Sequence, residues 1–195
     1  MGWVERVSAT PKILAMLVML VLTSQSHATD VAVSPLRVDI SFENWQMSLL
    51  ARVKSAYPDK LIAFHTDGCS GGLSDGWKYV AQAMPAFSEK FGESPPWEYC
   101  CVEHDRAYWR GETENGYNLR LNADLQLRAC VEQFGNEQKA IYAKRFSLQP
   151  ETVQHHINIG ASLMYRAVRL GGKPCSFLPW RWGYGWPHCI QGYKE

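Results

Sequence analysis

The stretch CCVEHDRAY, residues 100–108, sets two cysteines, a histidine, an aspartate and a tyrosine close together. On a helix, His104 and Tyr108 fall about 40° apart with Cys100 on the same ridge, while Asp105 projects about 100° to the side. One face would carry an imidazole and its flank a carboxylate. An imidazole exchanges protons near neutral pH, and a carboxylate either orients it or holds a hard cation. Downstream, Asp124 precedes Cys130 by six residues. If Cys100 and Cys130 bond across an antiparallel helix pair, a rise of ~1.5 Å per residue brings Asp124 between His104 and Tyr108. Six residues also turn Asp124 by about 120° from the cysteine's direction, so the helices must cross or the side chains reach.

Whether the cysteines are staples or ligands depends on their compartment. Arg6 and Lys12 precede the apolar run ILAMLVMLVL, and TSQSHA follows with small residues at Ser26 and Ala28, the layout of a secretory signal cleaved after Ala28. The run is about half the ~20 residues a membrane-crossing helix needs. The expected location is therefore secreted or periplasmic, with residues 29–195 as one domain. All six cysteines, Cys69, Cys100, Cys101, Cys130, Cys175 and Cys189, lie in that part, which favours three disulfides out of fifteen possible pairings. C-C-x-x-H also juxtaposes thiolate and imidazole zinc ligands, but adjacent cysteines rarely both reach one ion and export favours their oxidation. Losing Arg6, Lys12 and Glu5 from 20 basic and 19 acidic side chains leaves 18 of each. A neutral chain has no basic excess to hold nucleic acid.

The elements that would position these residues are mostly α. From Phe42 to Ala56, Trp45, Leu49, Leu50 and Val53 recur at helical spacing before Pro58. HTDGCSGGLSDG, residues 65–76, is too rich in glycine for regular structure and reads as a tight loop. A helix from Trp77 towards Phe91 must kink or split at Pro85. Pro95 and Pro96 open the His-Asp helix, which stops near Gly111. After the turn ETENG, a second helix carries Leu121, Leu125 and Ala129 on one stripe and ends at Gly135, with a further helical segment over 137–146. Residues 151–170 make another helix, closed by Gly171 and Gly172. The longest alternating, strand-like pattern is RVDISF, and there are no internal repeats.

These residues carry a resemblance. CCVEHDRAY resembles the CCxxHDxCY signature of secreted phospholipase A2 enzymes, the glycine loop around Cys69 resembles their calcium loop, and Asp124 to Cys130 is similar to their second long helix, where a dyad aspartate precedes a cysteine by six residues. The similarity spans roughly residues 65–131. It implies two long antiparallel, disulfide-linked helices beside a glycine-rich calcium loop, with Cys69 paired to Cys101 and Cys100 to Cys130. It also implies roles: His104 takes a proton from water, Asp124 fixes the imidazole tautomer, Tyr108 bonds Asp124, and Ca²⁺ is held by Asp105 with the carbonyls of Gly68, Ser70 and Gly72. The expected activity is calcium-dependent hydrolysis of a glycerophospholipid acyl ester at a membrane surface or micelle, without a nucleophilic serine. Ala107 stands where the signature has a cysteine, the loop is short and six cysteines are few, so a divergent bacterial-type member is the nearer comparison.

Plainer readings stand beside these. A His-Asp pair alone is commonly surface polarity. Asp67 and Asp75 flank the loop within reach of a calcium ion, but loop aspartates commonly cap turns through their own backbone, and they are left out of the expected ligand set. His65, His155, His156 and His188 show no partner in the sequence, and Arg120 and Arg128 read as surface pairs. The loop closed by Cys175 and Cys189 carries Trp180, Trp182, Tyr184 and Trp186, either as a lid on the core or as a lipid-surface anchor. The alternative function is a non-catalytic module that binds lipid or protein on the same stapled scaffold.

Overall fold

The structure, a computed structural model, describes residues 37–69 and 73–190. Residues 1–28, where a signal segment is expected, and Ser70 and Gly72 lie outside the described residues. Among the described residues there are six α-helices and no strand: α1 (Arg37–Ala56), α2 (Leu73–Ala83), α3 (Pro85–Phe91), α4 (Glu98–Arg110), α5 (Gly116–Phe146) and α6 (Pro150–Gly171). None of the described helices is long and apolar enough to cross a membrane.

Proline and glycine set most of the boundaries. The helix expected from Trp77 starts four residues earlier, at Leu73, so LSDG is helical and not loop; Pro85 then splits the stretch into α2 and α3, because a proline ring cannot continue the preceding turn but suits a helix start. Gly111 ends α4 in the left-handed conformation, φ 55°, and a Cβ there would sit 2.2 Å from the backbone of Gly183. RVDISF, despite its alternation, forms the first turns of α1.

Two expectations fail on α5. Gly135 does not end it: the helix runs on to Phe146 without a break. Gly135 is there because α6 comes close, and a Cβ would meet Ile157 at 2.8 Å and Gln154 at 3.0 Å. The buried stripe is not Leu121, Leu125 and Ala129 either; Leu125 is 44 % exposed. The face turned inward carries Arg120, Ala123, Asp124, Leu127, Val131 and Phe134. On α1, Leu49, Leu50 and Val53 are buried as the spacing predicts, but Trp45 faces solvent.

The core lies in two clusters, one at the Tyr108 end of α4 and one at its Cys100–Cys101 end. Met47, Leu49 and Leu50 of α1 pack with Tyr108, Ala123, Trp182 and Tyr184. Leu127, Val131 and Ala161 pack around Cys69, Cys100 and Cys101. Disulfides join Cys69 to Cys101, Cys100 to Cys130 and Cys175 to Cys189. The first two anchor the glycine loop and α5 to adjacent positions of α4. Both adjacent cysteines being bonded, the zinc reading of C-C-x-x-H falls.

The segment closed by Cys175 and Cys189 caps α4. Gly183 and Gly185 donate their N–H groups to the carbonyls of Tyr108 and Trp109, and Trp186 Nε1 donates to the carbonyl of Arg110. These are carbonyls a helix end leaves without partners. Trp182 is 2 % exposed and Tyr184 is buried, so these rings lie on the core, while Phe177 and Leu178 at the start of the segment face outward.

Candidate active site

The Cys100–Cys130 bridge, with Cα atoms 5.8 Å apart, sets α4 against α5. Because α5 runs back along α4, Asp124 comes level with His104 and Tyr108, and the reach of the two ring side chains closes the angular gap. His104 Nε2 lies 2.9 Å from Asp124 Oδ1, and Tyr108 Oη donates to the same oxygen at 2.7 Å. With Nε2 taken, Nδ1 is the ring nitrogen left for a reacting proton. It lies 3.8 Å from Asp105 Oδ1, too far for a hydrogen bond but close enough for electrostatic coupling.

The environment sets the protonation states. Burial presses the His104 pKa down, but the neighbouring carboxylates of Asp105 and Asp124 outweigh it and leave the ring above its ordinary 6.5. Burial, with the Asp124 charge adding to it, holds Tyr108 well above the usual phenol range, so it stays a neutral donor.

Asp124 is enclosed by charge. Arg169 Nη1 donates to its Oδ2 at 2.9 Å, and Arg120 Nη1 approaches that oxygen at 3.4 Å while donating to Tyr108 Oη at 3.1 Å. Arg120 is not the surface residue its sequence position suggests. It is fully buried and forks onto Glu43 of α1, Nε to Oε1 at 2.6 Å and Nη2 to Oε2 at 2.7 Å. Arg169 Nη2 lies 3.3 Å from the same Glu43 carboxylate. Two guanidinium groups thus face two carboxylates, and the cluster is neutral before His104 takes up a proton. Arg128 does make the expected surface pair, with Glu132 at 2.7 Å.

An apolar cleft of about 350 Å³ opens in front of His104 and Asp105. Its walls are the Cys69–Cys101 bridge, Leu73, Leu127, Leu163, Met164, Ala167, Val168 and Trp180. The other side of Asp105 faces a smaller cavity of about 120 Å³, which His65, Thr66, Asp67, Trp180 and Tyr184 also line. Thr66 Oγ1 donates to Asp105 Oδ2 at 2.6 Å and accepts the N–H of Gly68 at 3.0 Å. Tyr184 Oη donates to the carbonyl of His65, and burial together with the charges of Asp105 and Asp67 raises its pKa.

Of the expected metal-binding residues, Asp105 and Gly68 are described and share this corner through Thr66. No group of three or more His, Cys, Asp or Glu placed to hold a metal ion occurs among the described residues. The described side chains beside Asp105 nonetheless include two oxygen donors: the Thr66 hydroxyl, bonded to it, and the Asp67 carboxylate, which lines the same cavity. Oxygen-rich sets of this kind suit a hard cation such as Ca²⁺, which takes carbonyl and hydroxyl oxygen as readily as carboxylate. Asp67 is a member that turn chemistry alone would have discounted.

The remaining histidines have quieter places. His188 Nε2 lies 3.0 Å from the Ser176 carbonyl, within the C-terminal disulfide loop, and the rings of His155 and His156 lie side by side on α6.

No protein-family model matches the chain. Neither a curated protein nor a solved structure matches it significantly. The site's geometry therefore carries the functional reading.

Proposed function

We propose that the chain is a calcium-dependent, phospholipase A2-like hydrolase that cleaves an acyl ester of a glycerophospholipid. The observation that carries the reading is the buried His104–Asp124–Tyr108 constellation opening onto an apolar cleft, with the Asp105 carboxylate beside it. A module that only binds lipid has no use for an imidazole held in one tautomer by a buried carboxylate.

In this reading His104 accepts a proton from water at Nδ1 while its Nε2–H remains bonded to Asp124. The Asp124 carboxylate stabilises the imidazolium that forms, and Tyr108 holds the carboxylate in place. His104 then returns the proton to the leaving alkoxide. The Cys69–Cys101 bridge, Leu127, Leu163 and Met164 shelter the acyl chain and exclude bulk water. Asp105, Asp67 and the loop oxygens would hold Ca²⁺, which when bound supplies positive charge beside the ester carbonyl and the substrate phosphate. Leu163 and Leu73 at the cleft, with Phe177 nearby in sequence to Trp180, are exposed apolar groups that suit work at a lipid surface.

The test is fatty-acid release from mixed phospholipid vesicles by the oxidised chain, with calcium and with a chelator, alongside Asp105→Asn. Release that needs calcium and is lost in the folded variant supports the proposal. Release that is indifferent to both would sink the calcium role, and no release from any lipid composition would sink the enzyme reading.

A further inference from the structure

Asp124 must present one particular oxygen to His104, and hydrogen bonds to that oxygen alone do not prevent the carboxylate from turning about its last bond. Its other oxygen is where the orientation is fixed. Oδ2 receives Arg169 Nη1 at 2.9 Å, whereas Arg120 stands 3.4 Å away and is committed to Glu43, to the Tyr108 hydroxyl and to the Val168 carbonyl. Arg169 is itself oriented. Its Nη2 lies 3.3 Å from Glu43 Oε2, and its guanidinium sits over the Tyr117 ring, 5.4 Å from the centroid. It leaves from the last turn of α6, where the helix dipole favours a cation.

We infer that Arg169 is a positioning residue for the dyad: bridging Asp124 and Glu43, it locks Asp124 so that Oδ1 faces His104 Nε2. Glu43 and Arg169 thereby act on the proton-transfer pair without touching substrate. Arg120 contributes to the same enclosure, but its complete burial makes it chiefly a partner of Glu43. Arg169 is 17 % exposed at its side chain, and its removal leaves the two-pronged Arg120–Glu43 bond intact, so the substitution costs less than loss of Arg120 even though it too leaves two carboxylates against one arginine.

The catalytic consequence rests on the hydrolytic reading above, but the orientation itself is read without any substrate. In the calcium-free oxidised chain, at a pH where His104 is neutral, nitrogen-15 NMR follows the Nε2 proton bonded to Asp124 and its exchange with water. Arg169→Met is expected to speed that exchange about tenfold or more, the scale of one hydrogen bond to a charged group, with the denaturation profile still cooperative. Arg169→Lys, which keeps a cation on Oδ2, restores most of the protection. In vesicle assays the Met variant loses kcat while KM stays put, since the guanidinium acts through Asp124 and not on lipid.

A His104 Nε2 proton as protected in Arg169→Met as in the unaltered chain overturns the inference. So does a Lys variant as impaired as the Met variant. Should Arg169→Met fail to fold, Arg169→Met made together with Glu43→Gln, which restores the charge balance, and compared with Glu43→Gln alone, carries the same comparison. Absence of hydrolysis by the unaltered chain would count against the enzyme reading alone, because the NMR comparison still decides what Arg169 does.

Discussion

Replacing Arg120 by methionine should be among the most damaging single changes outside the disulfides, and the structure says by how much. Arg120 and Asp124 expose none of their surface and Glu43 only 1 %. As built, Arg120 and Arg169 balance Glu43 and Asp124. Methionine fills much of the same volume but leaves two buried carboxylates against one arginine. It also strips Glu43 of its bonds at 2.6 and 2.7 Å, leaving it only the Arg169 contact at 3.3 Å. Removing one partner of a buried ion pair costs about 3–5 kcal/mol. For a chain of this size that is a fall of roughly 6–20 °C in Tm. Glu43→Leu combined with Arg120→Met restores neutrality, because Arg169 and Asp124 then balance each other. The double variant should regain about 2–3 kcal/mol relative to the sum of the single losses. The assay is a double-mutant cycle by urea denaturation of the oxidised chain. Strict additivity of the two single losses would refute the charge-balance argument.

Other expectations follow from the same geometry. Asp124→Asn should lower kcat by roughly 10³–10⁴-fold, the scale seen when a catalytic histidine loses its orienting carboxylate, and a kcat within tenfold of the unaltered chain would remove Asp124 from the mechanism. In the calcium-free protein the His104 ring should titrate above 6.5, and Asp105→Asn should move that midpoint down, since it removes a carboxylate that favours the imidazolium. An unmoved midpoint by NMR contradicts the coupling. Gly135→Ala should destabilise by about 1–3 kcal/mol through overpacking against Ile157 and Gln154, whereas a stabilised variant in thermal melts would show that α6 yields easily.

How much of this was legible in the sequence depended on the range of the interaction. Pro85, Gly111 and the Pro95–Pro96 pair act on their own backbone, so the helices they bound could be read directly. The His104–Asp124 contact was accessible only on the condition that Cys100 bonds Cys130, a pairing that the resemblance implied and the sequence alone left open among fifteen; given that bridge, the helical rise brings Asp124 level with His104. Gly135 misled because the same residue serves as a helix stop or as a site of close helix approach, and only the position of α6 distinguishes the two. Glu43, Arg120 and Arg169 left no signal at all. They come from three separate helices, and a buried charge in a sequence looks like any surface charge, since helical periodicity scores apolar residues and places Leu125 inward and Arg120 outward. Thr66 was likewise hidden in the loop, and Asp67, though visible as a residue that could reach a cation, was set aside because turn chemistry explains a loop aspartate without a site.

The most direct test of the account is fatty-acid release from mixed phospholipid vesicles at saturating calcium, measured side by side for the oxidised chain and folded His104→Ala. The account predicts steady release by the first and a loss of several orders of magnitude in the second, with vesicle binding unchanged. Equal release by both would show that the hydrolysis does not run through His104, and the site described here would not be the active site.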